Sequence, residues 1–205
     1  MERSGDLENI LPRFEFRTFA QNLGHVEEVM RRLSSCGERV RESSEIYIIS
    51  RFNNDNNTKI RNNKIDIKVF VKEEKGMQQW NPRMKGEFPM NAEIIRDNVF
   101  PAFGVSIPEL KRSAYTLEQY LEEIIKSHPD LVTARVFKHR FGFIVNGCPT
   151  EIAKLLINDI KIQTVAVESE DIEAVLITKE MLELQEYENV NYLLAIKRII
   201  NMEPQ

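Results

Sequence analysis

The sequence predicts an α+β protein whose antiparallel strands close into a barrel with a charged interior. Three observations point there. Several strand-like segments carry Lys, Arg or Glu at every second position, so each has one charged face. Two-residue turn signals, Asn62-Asn63 and Asn158-Asp159, join neighbouring segments into hairpins. The charges are also sorted, with bases concentrated on some segments and acids on others. A half-buried open sheet explains one such face as solvated surface. It gives no reason for five faces to separate acids from bases. Closing the sheet turns those faces into a shared cavity.

The elements follow in order. Arg13 to Phe19 alternates, with Arg13, Glu15 and Arg17 on one face and Phe14 and Phe16 on the other. Leu23, Val26, Val29, Met30 and Leu33 recur at helical spacing, and Gly37 ends that pattern. Residues 44–50 read as a second strand and 53–57 as an Asn-rich loop. The Asn62-Asn63 hairpin pairs Arg61 with Lys64 and Lys59 with Asp66. Ile60, Ile65, Ile67 and Val69 then share the apolar face, and Lys59, Arg61, Lys64, Asp66 and Lys68 the charged one. Residues 77–89 hold one further strand, whose register is blurred by Pro82. Trp80 in it is expected to pack in the core or against a helix rather than to stack on a base.

Residues 90–128 form a helical connector, with helices near 91–100 and 116–126, and a lid over the cavity is one role for it. Charged alternation resumes from Leu131, placing Lys138 and Arg140 on one face and His139 on the other. The Asn158-Asp159 hairpin opposes Glu151 to Ala166 and groups Glu151, Glu168 and Glu170 on one face. Two helices close the chain, near 172–184 and 189–200.

The whole of 1–205 reads as one domain. Lys plus Arg is 28 against 32 Asp plus Glu, a net charge of −4 that speaks against a dedicated DNA binder. Two distant cysteines and the lack of an apolar leader or membrane-length run predict a cytoplasmic protein, with no cysteine-built metal site and no membrane partner. A cavity lined by Arg and Lys with a few carboxylates suits a triphosphate bridged by a divalent cation.

Arg13-Phe14-Glu15-Phe16-Arg17, Lys59-x-Arg61 followed by Lys68, Lys138-x-Arg140, the late acids Glu168-x-Glu170 and the closing Asn189…Tyr192…Lys197 occur in the order found in the CYTH superfamily. From about Phe14 to Ile199 the chain resembles those triphosphate tunnel metalloenzymes. The resemblance implies an eight-stranded antiparallel tunnel with flanking helices, and Mg²⁺ or Mn²⁺ as cofactor. It implies a metal-dependent phosphohydrolase acting on inorganic triphosphate, thiamine triphosphate or a nucleoside triphosphate such as ATP. Arg17, Lys59, Arg61, Lys68, Lys138, Arg140 and Lys197 would hold the phosphates. Glu15, Glu151, Glu168 and Glu170 would hold the metal, with Glu15, Glu168 and Glu170 as catalytic acids. The family's opening strand carries Glu-x-Glu-x-Lys. Here Arg13 replaces its first Glu, which opens the alternative of a non-catalytic polyphosphate or nucleotide binder. A class IV-type adenylyl cyclase is the other alternative, and a plain α+β protein without a barrel a third. The oligomeric state stays open, a dimer included.

Overall fold

The computed structural model describes residues 12–202. Eight strands form a closed antiparallel barrel. In chain order these are β1 (Phe14–Ala20), β2 (Arg39–Ser50), β3 (Asn56–Arg61), β4 (Lys64–Glu74), β5 (Met77–Glu87), β8 (Leu131–Val145), β9 (Cys148–Ile157) and β10 (Ile160–Ser169). Around the wall the order is β1-β10-β9-β8-β2-β3-β4-β5, and β5 returns to β1. The short strands β6 (Met90–Asn91) and β7 (Ala114–Tyr115) pair separately within the connector.

Tight turns set the register. Asn62 and Asn63 sit at φ 50° and 62°, Asn158 and Asp159 at φ 44° and 70°, the left-handed values that such hairpins require. The predicted pairings follow: Arg61 opposes Lys64, Lys59 opposes Asp66, and Glu151 opposes Ala166. Asn146-Gly147 joins β8 to β9 in the same way, with φ 50° and 73°.

The barrel buries apolar side chains on its outside. Phe14, Phe16, Phe143, Ile152, Val165 and Val167 face out and pack under α1 (Gly24–Leu33) and α4 (Ile172–Met181), through Val26, Met30 and Val175. On the other side Ile48, Ile60, Ile65 and Ile67 are covered by the connector. Its helices are α2 (Ala92–Ile94, continuing through Ile95–Val99 and Phe100–Ala102) and α3 (Leu117–Gln119, continuing through Tyr120–Ile125). Ile95, Phe100, Phe103, Tyr120 and Ile124 supply the apolar contacts. The connector therefore coats the outer wall.

One end of the barrel is plugged. There the inward faces turn apolar, with Ile49 of β2, Ala134 and Val136 of β8, and Leu155 and Ile157 of β9. They bury Leu193 and Ile196 of α5 (Tyr192–Ile199). Asn191 caps α5 by accepting the Leu194 N–H at 2.9 Å. The expected tunnel is thus a cup. No helix among the described residues is long and apolar enough to cross a membrane.

Ile196 is 0% exposed inside the plug. Ile196→Ala should lower unfolding free energy by about 3 kcal/mol through lost burial and a residual cavity. A urea titration checks this; an unchanged midpoint would mean that α5 adds little to the closed end.

Candidate functional site

Alternation along each strand delivers the charged side chains to one cavity. With Phe14 and Phe16 outward, Glu15 and Arg17 point inward from β1. Lys59 comes from β3, Lys68 from β4, Lys138 and Arg140 from β8, Glu151 from β9 and Glu168 from β10. Tyr47, Asn57, Trp80, Asn191 and Tyr192 complete a narrow inner space of about 170 Å³.

The most buried of the cavity's cations is Lys138, 3% exposed. Its Nζ lies 2.9 Å from Glu45 Oε2 and donates to the Tyr47 hydroxyl at 2.8 Å. It also sits 3.6 Å from the centre of the Tyr192 ring, a cation–π contact. Tyr47 stacks on Tyr192 with centroids 5.6 Å apart. Burial pushes the Lys138 ammonium down to about 7 against the attraction of Glu45. Burial would raise the Glu45 carboxyl, but Lys138, Lys59 and Arg140 outweigh it and hold the group at about 2. Glu45 is thus a permanent anion beneath the basic cluster. Burial also lowers Lys59.

Three polar atoms of residues lining this space are buried with no hydrogen-bond partner among the described residues, Arg140 Nε, Asn57 Oδ1 and the Tyr192 hydroxyl, and Asp66 Oδ1 is a fourth beside the adjoining openings. Buried polar groups are ordinarily satisfied, so this concentration marks a place where a polar ligand or water completes the bonding. Arg140 uses its remaining reach on Ser43 Oγ, at 2.7 Å.

The acids lie across β1 and β10. Glu15 and Glu168 stand opposite each other in the register. Arg17 Nε holds Glu15 Oε1 at 2.5 Å, while its guanidinium lies 4.7 Å from the Tyr192 ring centre. Burial works against the Glu15 charge, but Arg17, Lys68 and Lys138 hold the carboxyl below its ordinary value. Glu168 is pushed up by burial and by the Glu15 charge. Its cation partner is Arg13, at 3.8 Å and with a half-exposed side chain. Glu151 lies 3.9 Å from Arg41.

For a metal, the donor set is small. Among the described residues no group of three or more His, Cys, Asp and Glu is placed to hold one. Glu15 and Glu168 nevertheless form a like-charged pair whose repulsion a divalent cation would relieve. Mg²⁺ commonly takes one or two carboxylates together with substrate phosphate oxygens. The pair therefore fits a cation that arrives with a phosphate ligand, not a preformed protein cage.

The predicted residues fall into three groups. Glu15, Arg17, Lys59, Lys68, Lys138, Arg140, Glu151 and Glu168 come together in the inner space. Arg61 sits farther out, its Nη1 3.4 Å from Glu45 Oε1 and its side chain facing an adjoining opening of the cup. Glu170 and Lys197 do not join. β10 ends at Ser169, so Glu170 leaves the alternation and is exposed in the bend before α4. Lys197 turns away from the cavity on the plug helix and donates to Asn53 O at 2.7 Å and Asn54 Oδ1 at 2.8 Å.

His139 faces out, as alternation requires, against the Phe141 ring at 4.5 Å. Glu45, Tyr47, Tyr192 and Trp80 were not legible as cavity residues. Glu45 stands alone among uncharged neighbours in Ser44-Glu45-Ile46-Tyr47, so its strand shows no charged alternation there. Trp80 was expected in the core or against a helix. A bulge between the Ile67–Met84 and Lys68–Pro82 pairs skips Arg83 and turns Pro82 and Trp80 inward.

No family model and no curated protein matches this chain. Solved structures do. A Hippeastrum protein, named as a candidate adenylyl cyclase with a dominant triphosphatase activity, is 11% identical with a TM-score of 0.50, over 94% of this chain and 100% of that one. A candidate adenylate cyclase from Bacillus halodurans is 9% identical with a TM-score of 0.51, over 87% and 94%. The chain shares the closed-barrel fold of these structures. That agrees with the motif order, and excludes the plain α+β alternative without a barrel.

The Lys138 shift has a definite sign. An unfolded lysine titrates near 10.5 and the buried one near 7. Between those values the unfolded chain binds more protons, so stability rises with pH. Equilibrium unfolding at pH 7 and pH 9 should show that rise, and Lys138→Met should reduce it. Lys59, shifted in the same direction, keeps part of it. An equal rise in the variant would mean that Lys138 titrates like an exposed lysine.

Proposed function

We propose that the cup binds the triphosphate group of a small molecule, and that its reaction is metal-dependent hydrolysis of the terminal phosphate. One observation carries the reading: Arg17, Lys59, Lys68, Lys138 and Arg140, from four strands, converge on one closed-ended space with buried polar atoms left to satisfy. A surface sheet has no cause to gather five cations in one space, two of them buried and three half-buried. A polyphosphate does, since each phosphate oxygen takes a charge-assisted hydrogen bond in a place where water does not compete.

The residues divide the work. Arg140, with a free Nε, and Arg17 present guanidinium groups, while Lys59 and Lys68 act as point charges. Lys138 and Glu45 together hold the deep end in shape. Glu168, with Glu15 beside it, would hold Mg²⁺ or Mn²⁺; such a cation, when bound, neutralises phosphate oxygens and makes a bound water more acidic. The activity named for the Hippeastrum neighbour agrees with this reading. The family membership suggested by motif order and fold belongs to the same proposal.

A second reading is favoured by the arginines. Arg13 on Glu168 and Arg17 on Glu15 already supply positive charge where a metal would. On that reading the chain holds a polyphosphate or nucleotide without metal and does not turn it over.

Titrating inorganic triphosphate calorimetrically in Mg²⁺ and in EDTA, with phosphate release followed in parallel, separates the readings. The first expects Mg²⁺-dependent release, abolished by Glu168→Gln. Tight binding in EDTA without release establishes the second. In both, Arg140→Ala should weaken binding about tenfold or more, the loss of a charge-assisted bond. No binding under any condition would end the triphosphate reading.

A further inference from the structure

We propose that this cup is built for an organic triphosphate, with Trp80 as the platform on which a flat ring of the ligand stacks. The inference rests on the triphosphate reading and names the class of molecule that carries the phosphates. Beside the inner space lies a second chamber of about 420 Å³. Glu15, Lys68, Trp80 and Glu168 line both, so the two are continuous. The second is the outer one, because exposed Arg13 and Lys85 border it, whereas buried Arg17 and Lys138 border the first. A phosphate chain fits the inner space of about 170 Å³. Inorganic triphosphate would leave the larger chamber unused.

The chamber's walls suit a ring. Pro12, Trp80 and Pro82 contribute apolar surface within an otherwise charged mouth. Trp80 is half-buried and already oriented. Phe70 packs edge-on against it with centroids 5.4 Å apart and planes at 65°. The indole N–H donates to Gln78 Oε1 at 3.2 Å, so the polar edge is satisfied within the protein. A ring face is then what Trp80 has to offer a ligand, at little entropic cost because the side chain is fixed. The bulge that skips Arg83 places it there; without that shift Asn81 would take the inward position. A volume near 420 Å³ lies in the range of about 300–1,000 Å³ usual for small-molecule sites. Stacking on an aromatic side chain is sequence-tolerant among bases, so the argument selects a flat ring and not one particular base.

The test uses the full chain with Mg²⁺ and two ligands that resist hydrolysis, the β,γ-imido analogue of ATP and imidotriphosphate, titrated calorimetrically. The ring-bearing ligand should bind about tenfold more tightly, within the range that one stacked base supplies. Trp80→Ala should remove that advantage, weakening the ATP analogue about tenfold more than it weakens imidotriphosphate. Trp80→Phe should keep most of it, and its melting temperature guards against loss of fold. Trp80 is the single tryptophan, so its fluorescence should respond to the ATP analogue more than to imidotriphosphate. Equal affinities in the wild type, or a Trp80→Ala variant that weakens both ligands alike, would overturn the inference while leaving the triphosphate site standing. Failure of both ligands to bind would overturn the two together.

Discussion

A buried ammonium must have compensation, and much of this molecule is arranged around the one on Lys138. Stripping water from an unpaired ion of that size costs several kcal/mol even after relaxation. Lys138 recovers part of this from the Glu45 carboxylate, the Tyr47 hydroxyl and the Tyr192 ring, and burial still draws it down to about 7. Glu45 and Tyr47 lie on β2, which pairs with β8 only because the chain returns through the connector to place them side by side. Tyr192 arrives on α5, from the other end of the sequence. Closure of this part of the wall and insertion of the plug therefore act on the same side chain.

The inverted distribution of polarity follows. If charge lines the cavity, the apolar residues of the strands fall on the outer face everywhere but at the plugged end. That face has to be covered. α1 and α4 cover one side, the connector another. A lid built from the connector would strip Phe100, Phe103, Tyr120 and Ile124 of their packing, at about 1.5–3 kcal/mol for each large side chain exposed. Its role as coat is the outcome of this balance.

Period-two patterning made the barrel wall legible. Once a two-residue turn is recognised, the register is determined and each side chain's face with it. Thus Lys59, Lys68, Arg140, Glu151 and Glu168 could be assigned to one cavity from spacing alone. Patterning is silent on depth along the barrel axis and on anything that enters from outside the sheet. Tyr192 stands in the closing motif, but patterning alone gives it no place in the cavity until the helix is seen to plug the barrel. Lys197, one turn further along, is turned away by the same geometry. Trp80 was lost to a bulge, which flips parity without leaving a strong mark beyond Pro82. Glu170 failed because alternation was carried past the end of its strand.

The two arginine–glutamate contacts at the mouth differ in kind, and the difference bears on the chemistry. Arg17 is 6% exposed, bonded to Glu15 at 2.5 Å and seated on the Tyr192 ring, and the Arg17 backbone N–H is fixed by Asn189 Oδ1 at 2.8 Å. Removing it from Glu15 would strand a buried charge on each side. Arg13 meets Glu168 at 3.8 Å with a half-exposed side chain, the sort of pair that contributes about 0–1 kcal/mol. Glu168 is also the carboxylate that burial and the Glu15 charge make least content as an anion. On the proposed function it would exchange Arg13 for a divalent cation without disturbing the wall, with Glu15 beside it still held by Arg17. Of these acids, Glu168 is the one whose partner is open to change, and on the proposed function what it holds would separate turnover from simple retention of a phosphate ligand.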